Sequence, residues 1–152
     1  MAKRLTLQID KHCFKDILNG CQHVEHRYIY PSNANRYVTQ TETEDGLDVQ
    51  CVRYDELYLI NGRRKAAARL TVLVEKAVFV PFADEDGNNL VKVDEKGEEY
   101  LVCQVWYYLG KVTSTENIPE DYYYDPAMKA ERLRLLTEME AEMDRELEGE
   151  LE

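Results

Sequence analysis

Residues 5–30 form the sequence LTLQIDKHCFKDILNGCQHVEHRYIY, and the fold prediction starts here. The first five of these residues alternate apolar and polar, which is the period of a half-buried strand. Asp10 stands where a helix N-cap belongs, and apolar residues then recur at helical spacing until Gly20, a typical helix stop. Residues 24–30 again have the composition of a strand. The segment therefore predicts a strand, a short helix over residues 11–19 and a second strand.

Strand and turn signals continue along the next 80 residues of the chain. Residues 57–60 predict a short strand, and Asn61-Gly62 directly after it is a strong hairpin signal. A long strand is expected over residues 67–82. A further strand is expected within residues 100–112, with its end at Gly110. Smaller features are a polar stretch over 37–53 with a turn at 44–46, turns at 84–89 and 94–97, and a short strand at 90–93. This pattern predicts an α+β, mainly β fold, a small β-barrel with the early helix at its edge.

The last part of the chain has a different composition. Residues 117–126 predict a linker, and residues 127–148 lack Gly and Pro and predict an acidic helix with a narrow Met/Leu stripe. We expect one domain over 1–118, followed by the acidic linker and helix over 119–152. The three tyrosines at 122–124 are expected to hold this tail on the barrel. The helix itself packs on its own domain, pairs with a second copy or a protein partner, or is partly disordered.

Charge and composition exclude several classes of protein. The 152 residues suit one domain, and the formal net charge of −11 argues against a protein that coats nucleic acid with a basic surface. Residues 1–80 carry 12 basic and 10 acidic side chains, so this part accepts an anion most readily. No apolar run is long enough for a membrane-spanning helix or a signal peptide, and we expect a cytoplasmic protein whose four cysteines are thiols.

The segment from Ile17 to Arg27 carries a family resemblance. It resembles the signature of the ASCH domain, a branch of the PUA-like barrels, in which a short helix is followed by Gly-x-Lys-x-x-Glu-x-Arg and a strand. Gly20, Glu25 and Arg27 match this signature, and Gln22 stands at the Lys position. Residues 54–62 and 108–112 resemble two later blocks of the family, so that the resemblance covers about residues 5–113.

The resemblance implies a β-barrel with a cleft beside the signature helix that binds RNA or a nucleotide-like ligand. One bacterial branch of the family is an amidohydrolase that removes the acetyl group of N4-acetylcytidine. There the signature Lys carries catalysis, with a Thr at the position of Glu25 and a further Glu elsewhere. An amide such as that of Gln22 is neither a nucleophile nor a base near neutral pH. We therefore expect binding rather than catalysis; the alternative, a small amidohydrolase, needs another group such as Glu25 or Lys65.

The residues of the signature suit a ligand site on physical grounds as well. Gly20 permits a close backbone approach, and Gln22 offers a donor and an acceptor to a base edge. Arg27 is suited to a bidentate contact with a phosphate, and Glu25 to orienting Arg27 or accepting from a base amino group. The alternative is structural: Glu25 and Arg27 form an ion pair, and Gly20 only ends the helix.

Further candidate residues lie outside the signature. Arg63, Arg64 and Lys65, with Arg69 beyond them, either bind phosphates or form a solvated hairpin tip, and Arg36 and Arg53 are candidates for the same patch. Tyr28, Tyr30 and Tyr37 either stack on unpaired bases or fill the core. The spacing of Cys13, Cys21, His23 and His26 does not favour zinc, and no metal or cofactor is expected. The third hypothesis is an interaction module that works through the acidic helix 127–148, with no role for a membrane.

Overall fold

The computed structural model describes residues 2–151, with side chains up to residue 147. Strands make up most of its regular structure, so the α+β, mainly β prediction is confirmed. The elements in chain order are β1 (Arg4–Gln8), α1 (Lys11–Leu18), β2 (Val24–Ile29), α2 (Ala34–Tyr37), β3 (Val38–Thr43), β4 (Gly46–Cys51), β5 (Glu56–Asn61), β6 (Ala68–Pro81), β7 (Val91–Val93), β8 (Glu99–Leu101), β9 (Cys103–Glu116), a 3-10 helix (Glu120–Tyr122) and α3 (Pro126–Leu151).

The main sheet has five strands in the order β1-β5-β6-β9-β2, and β3-β4 and β7-β8 form two hairpins of their own. Because this order has β1 at one end and β2 at the other, its strands do not close into the barrel expected from the sequence. The chain divides into two compact units. Unit 1 contains the described parts of Met1–Val24, Tyr54–Glu75 and Tyr108–Glu152, and unit 2 contains Glu25–Arg53 and Lys76–Tyr107.

The core of unit 1 forms between helix α1 and the strands β1, β5 and β6. β1 pairs in parallel with β5, and β5 pairs antiparallel with β6, so that apolar side chains from the three strands face one side. Phe14 and Ile17 of α1 are buried with Leu57, Leu59 and Leu70 of the strands. As predicted, α1 begins at its cap Asp10, whose carboxylate accepts a hydrogen bond from the Cys13 backbone N–H at 2.8 Å.

Helix α3 belongs to unit 1 and packs there largely through polar groups. The Glu140 carboxylate accepts from the His23 backbone N–H at 2.7 Å, and the Tyr108 hydroxyl donates to Asp144 at 2.8 Å. The predicted Met/Leu stripe is divided: Leu136, Met143 and Leu147 are half-buried, whereas Met128, Leu135 and Met139 are exposed. Of the three alternatives for this helix, the structure has the one in which it packs on its own chain.

Of the three tyrosines expected to hold the tail, Tyr122 and Tyr124 contact the rest of unit 1, whereas Tyr123 is exposed. The Tyr122 hydroxyl donates to the Asn61 side chain at 2.7 Å, and the Tyr122 ring packs edge-on against Phe14 at 5.8 Å. The Asn19 amide donates to the Tyr122 carbonyl and accepts from the Tyr124 backbone N–H, each at 3.0 Å. The linker is therefore fixed to the end of α1.

Unit 2 contains the two small hairpins and a core of its own. Ile29, Tyr37, Val38, Val80, Val105 and Tyr107 are among its buried side chains. The polar stretch over 37–53, for which no element was predicted apart from a turn, contains β3 and β4, and the predicted turn joins them. The sequence shows no alternation here because nearly every residue of both strands is at least partly exposed. The short helix α2 precedes β3 directly.

The predicted end of the last strand at Gly110 is wrong, since β9 continues to Glu116. A Cβ atom at Gly110 would lie 3.4 Å from the Leu73 Cβ and 3.5 Å from the Glu75 side chain. The glycine therefore marks a crowded position next to β6 rather than a turn. Among the described residues, no helix combines the length and the apolar character that crossing a membrane requires.

Candidate ligand-binding site

The two units share the predicted site residues between them. Gly20, Gln22, Arg63, Arg64 and Lys65 belong to unit 1, whereas Glu25, Arg27 and Tyr28 belong to unit 2. Each group is therefore described within its own unit. Phosphate-binding, base-reading and stacking roles remain predictions for all eight residues.

Gly20 and Gln22 lie just after helix α1. Gly20 has the left-handed φ of +73° that ends many helices, and its N–H donates to the Ile17 carbonyl at 3.0 Å. A Cβ atom added there would meet nothing within 4 Å, so the space beside it is open. The Gln22 side-chain amide donates to the Val24 carbonyl at 3.0 Å, which directs one end of the amide toward the backbone. Gly20 is thus a helix cap that also leaves room for a neighbour.

Glu25 and Arg27 lie together in β2. Glu25 is buried, and its Oε1 lies 3.6 Å from the Nε of Arg27, whose side chain is about one quarter exposed at 24%. This is the ion pair of the structural alternative. It is also the arrangement in which a buried carboxylate orients a guanidinium that keeps part of its surface in solvent.

The basic cluster Arg63, Arg64 and Lys65 lies in the exposed connection between β5 and β6. Arg69 does not join it, because its Nη1 donates to the Tyr58 hydroxyl at 3.4 Å, and that hydroxyl donates to Glu116 at 2.7 Å. Arg36 and Arg53 belong to unit 2, and Arg36 lies over the ring of Tyr37 at 5.9 Å.

Unit 2 carries an aromatic cluster that the sequence indicated only in part. Tyr28 and Tyr30 are stacked with ring centroids 6.1 Å apart and an angle of 22°, and they are 49% and 43% exposed. Phe82 lies 6.2 Å from Tyr28, and Tyr100 lies 6.0 Å from Tyr30 at 73°. We call Tyr28, Tyr30, Phe82 and Tyr100 the aromatic surface. Tyr37, the other stacking candidate, is buried against Tyr107 and is a core residue.

Three cavities adjoin the aromatic surface, and Tyr30 and Tyr100 line all of them. The large cavity has a volume of about 740 Å³ and is mainly apolar, with the side chains of Asn35, Thr39 and Gln40 as polar groups. The acidic cavity, about 580 Å³, runs along residues 93–98. The small cavity, about 220 Å³, includes Tyr28, Phe82 and Lys92. Concave, mostly apolar spaces with a few polar groups are the usual form of small-molecule sites.

Sequence signals indicated only half of the aromatic surface. Tyr28 and Tyr30 stand beside the signature, whereas Phe82 and Tyr100 come from turn-flanked stretches more than 50 residues further along. They meet because Phe82 donates its backbone N–H to Val102 at 3.0 Å, and β7 pairs with β8 so that Lys92 lies opposite Tyr100.

The thiols are structural. Cys103, which lines the large cavity, is buried, and burial raises the pKa of its thiol. Burial also raises the pKa of Cys21, whose sulfur donates to the Lys129 carbonyl at 3.5 Å. Both thiols are therefore protonated at neutral pH, whereas a nucleophilic cysteine needs to be a thiolate. Within residues 2–151, no group of three or more His, Cys, Asp or Glu side chains is arranged to hold a metal ion.

Comparisons of the chain with protein-family models, with curated proteins and with solved structures found no match.

Proposed function

We propose that this protein binds RNA or a nucleotide-like ligand through the aromatic surface of unit 2, and that it is a PUA-like protein of the ASCH branch. The observation that carries the proposal is the stacked, half-exposed pair Tyr28 and Tyr30 beside three cavities. Stacking of an unpaired base on an aromatic side chain contributes about 1–3 kcal/mol per base. Because the two rings are about half exposed, their faces are accessible to a base.

Polar groups near the aromatic surface suit the rest of such a ligand. In the large cavity, the amides of Asn35 and Gln40 offer donors and acceptors for a base edge. Lys92 lines the small cavity together with Tyr28 and Tyr30, and its ammonium group is suited to a phosphate.

The charge of unit 2 limits the length of the proposed ligand. Its residues 25–53 and 76–107 contain twelve acidic and six basic side chains. A long RNA would bring many phosphates within a screening length of about 8–10 Å of these carboxylates. The proposal is therefore for one or a few unpaired bases, with a weak salt dependence, rather than for a long tract of RNA.

Binding rather than hydrolysis is proposed because of Gln22. Its amide, which donates to the Val24 carbonyl, takes the place of the Lys that carries catalysis in the amidohydrolase branch.

The test is a fluorescence-anisotropy titration with labelled single-stranded RNAs of a few nucleotides at about 50 and 200 mM salt. Native protein is compared with Tyr28→Ala and Tyr28→Phe, and with Tyr123→Ala, which removes an exposed tyrosine of unit 1. We expect Tyr28→Ala to weaken binding about 5- to 150-fold, with Tyr28→Phe and Tyr123→Ala close to native. Absence of binding at low salt, or equal affinities of native protein and Tyr28→Ala, would overturn the proposal.

A further inference from the structure

The acidic cavity contains a corner of two aromatic rings. The rings of Tyr30 and Tyr100 pack edge-on with centroids 6.0 Å apart at 73°, so that one ring stands steeply on the face of the other. Pro31 and Val93 line the same cavity of about 580 Å³. Each ring face carries negative electrostatic potential, and two faces that meet at a corner attract a cation from two sides.

The charged residues of this cavity have the sign that supports a cation. Asp94, Glu95 and Glu98 line it together with one cation, Lys96. The Asp94 Oδ1 accepts from the backbone N–H groups of Lys96 and Glu98, each at 2.9 Å, which fixes the turn. Glu95, Lys96 and Glu98 are exposed. The cavity therefore holds two negative charges in excess around the aromatic corner.

We infer that the acidic cavity binds a small organic cation with a quaternary ammonium group. Such a group is large and weakly hydrated, and it bears no N–H donor, so aromatic faces are its usual partners in proteins. The cavity is ample for a trimethylammonium group with a short tail. A phosphate is disfavoured here by the same carboxylates. The cation site therefore shares the rings of Tyr30 and Tyr100 with the aromatic surface, but its charged groups differ from the proposed nucleotide contacts with Tyr28 and Lys92.

The first test uses the native chain and two ligands of matched shape. The ligands are choline and 3,3-dimethyl-1-butanol, in which a neutral carbon replaces the charged nitrogen of choline. Each is titrated into the protein by isothermal titration calorimetry. We expect choline to bind about 2- to 30-fold more tightly than the neutral alcohol, the range expected for a cation over aromatic rings. Equal affinities, or no heat from choline at about 10 mM, would overturn the inference.

Variants then locate the site. Tyr100→Leu and Glu98→Gln are expected to weaken choline binding. Tyr100→Phe keeps the ring face, and we expect it to bind choline with native affinity. Tyr123→Leu, outside unit 2, serves as the matched control. If Tyr100→Leu and Tyr123→Leu bind choline alike, the corner is not the site. Should Tyr100→Leu fail to fold by circular dichroism, Glu98→Gln and the comparison of the two ligands decide the question.

The two proposals fail separately. Tyr28 does not line the acidic cavity, and Glu98 does not line the small cavity. Loss of RNA binding in Tyr28→Ala bears on the nucleotide proposal alone, and loss of choline binding in Glu98→Gln bears on the cation proposal alone.

Discussion

Arg132 of helix α3 donates to both carboxylate oxygens of Asp16 in helix α1. The Arg132 Nε lies 3.1 Å from Asp16 Oδ1, and Nη2 lies 2.7 Å from Oδ2. The Tyr124 hydroxyl donates to the same carboxylate at 2.7 Å, and Asp16 is only 3% exposed. A buried carboxylate is stable when charged partners and hydrogen bonds of this kind surround it. This contact attaches the acidic helix to the rest of unit 1.

Replacing Asp16 by Asn should therefore loosen the helix. The neutral amide keeps the size of the side chain but loses the charge that binds Arg132, and we expect about 1–3 kcal/mol less stability in urea unfolding. Arg134→Gln is the matched control, because its pair with Glu138 lies on the same helix with both side chains more than 60% exposed. The control should change stability by less than about 0.5 kcal/mol. Equal effects of the two variants would show that the Asp16 contact is unimportant.

Alkaline pH should release the same helix. Burial, together with the hydrogen bond to Asp144, raises the pKa of Tyr108 to about 12, from about 10 in the unfolded chain. Because the folded pKa is the higher one, its contribution to stability is complete below pH 10 and is lost as pH rises toward about 12. Burial and the bond to Asp16 raise the pKa of Tyr124 in the same direction.

Urea unfolding across this alkaline range measures the effect. We expect the native chain to lose stability more steeply with pH than the double variant Tyr108→Phe, Tyr124→Phe, which has no phenol at either position. The double variant is less stable than native at pH 7 because two hydrogen bonds are lost. Parallel pH profiles for the two proteins would contradict the assignment of the slope to these tyrosines.

Arg27→Ala separates a binding role from a structural one. If Arg27 contacts a phosphate, its removal weakens RNA binding and reduces the salt dependence by about one phosphate contact. The matched control is Arg53→Ala, an exposed arginine of the same unit. A variant that loses stability and yet binds RNA with native affinity and salt dependence would assign Arg27 to the ion pair with Glu25 alone.

Two variants of Gly20 test whether this residue only caps helix α1 or also lies against a ligand. Gly20→Ala places a side chain in a left-handed conformation, which costs about 1–2 kcal/mol, and Gly20→Asn costs less because Asn tolerates this conformation. Thermal unfolding gives the two stabilities. A cap alone predicts native RNA affinity in both folded variants; weaker binding in both would instead indicate a ligand at the open space beside Gly20.

Local signals made the first third of the fold predictable. Asp10 and Gly20 mark the two ends of helix α1 through contacts with residues close in sequence. The alternation in β1 reflects its one buried face. β3 and β4 escaped prediction because they are exposed on both faces and so lack an alternating pattern. The aromatic surface escaped in part because strand pairing, not spacing, brings Phe82 and Tyr100 to Tyr28 and Tyr30. The attachment of α3 through Asp16 and Glu140 was equally hidden, since charged residues on a helix predict a solvated face.

The interleaved make-up of unit 1 has a consequence for synthesis on the ribosome. Asp16 precedes its partner Arg132 by 116 residues, which at about 5–20 residues per second is a delay of about 6–23 s. During most of that time Phe14 of α1 also lacks its ring contact with Tyr122 of the tail. A chain that stops before Arg132 lacks this contact, so we expect it to be less stable than the full chain.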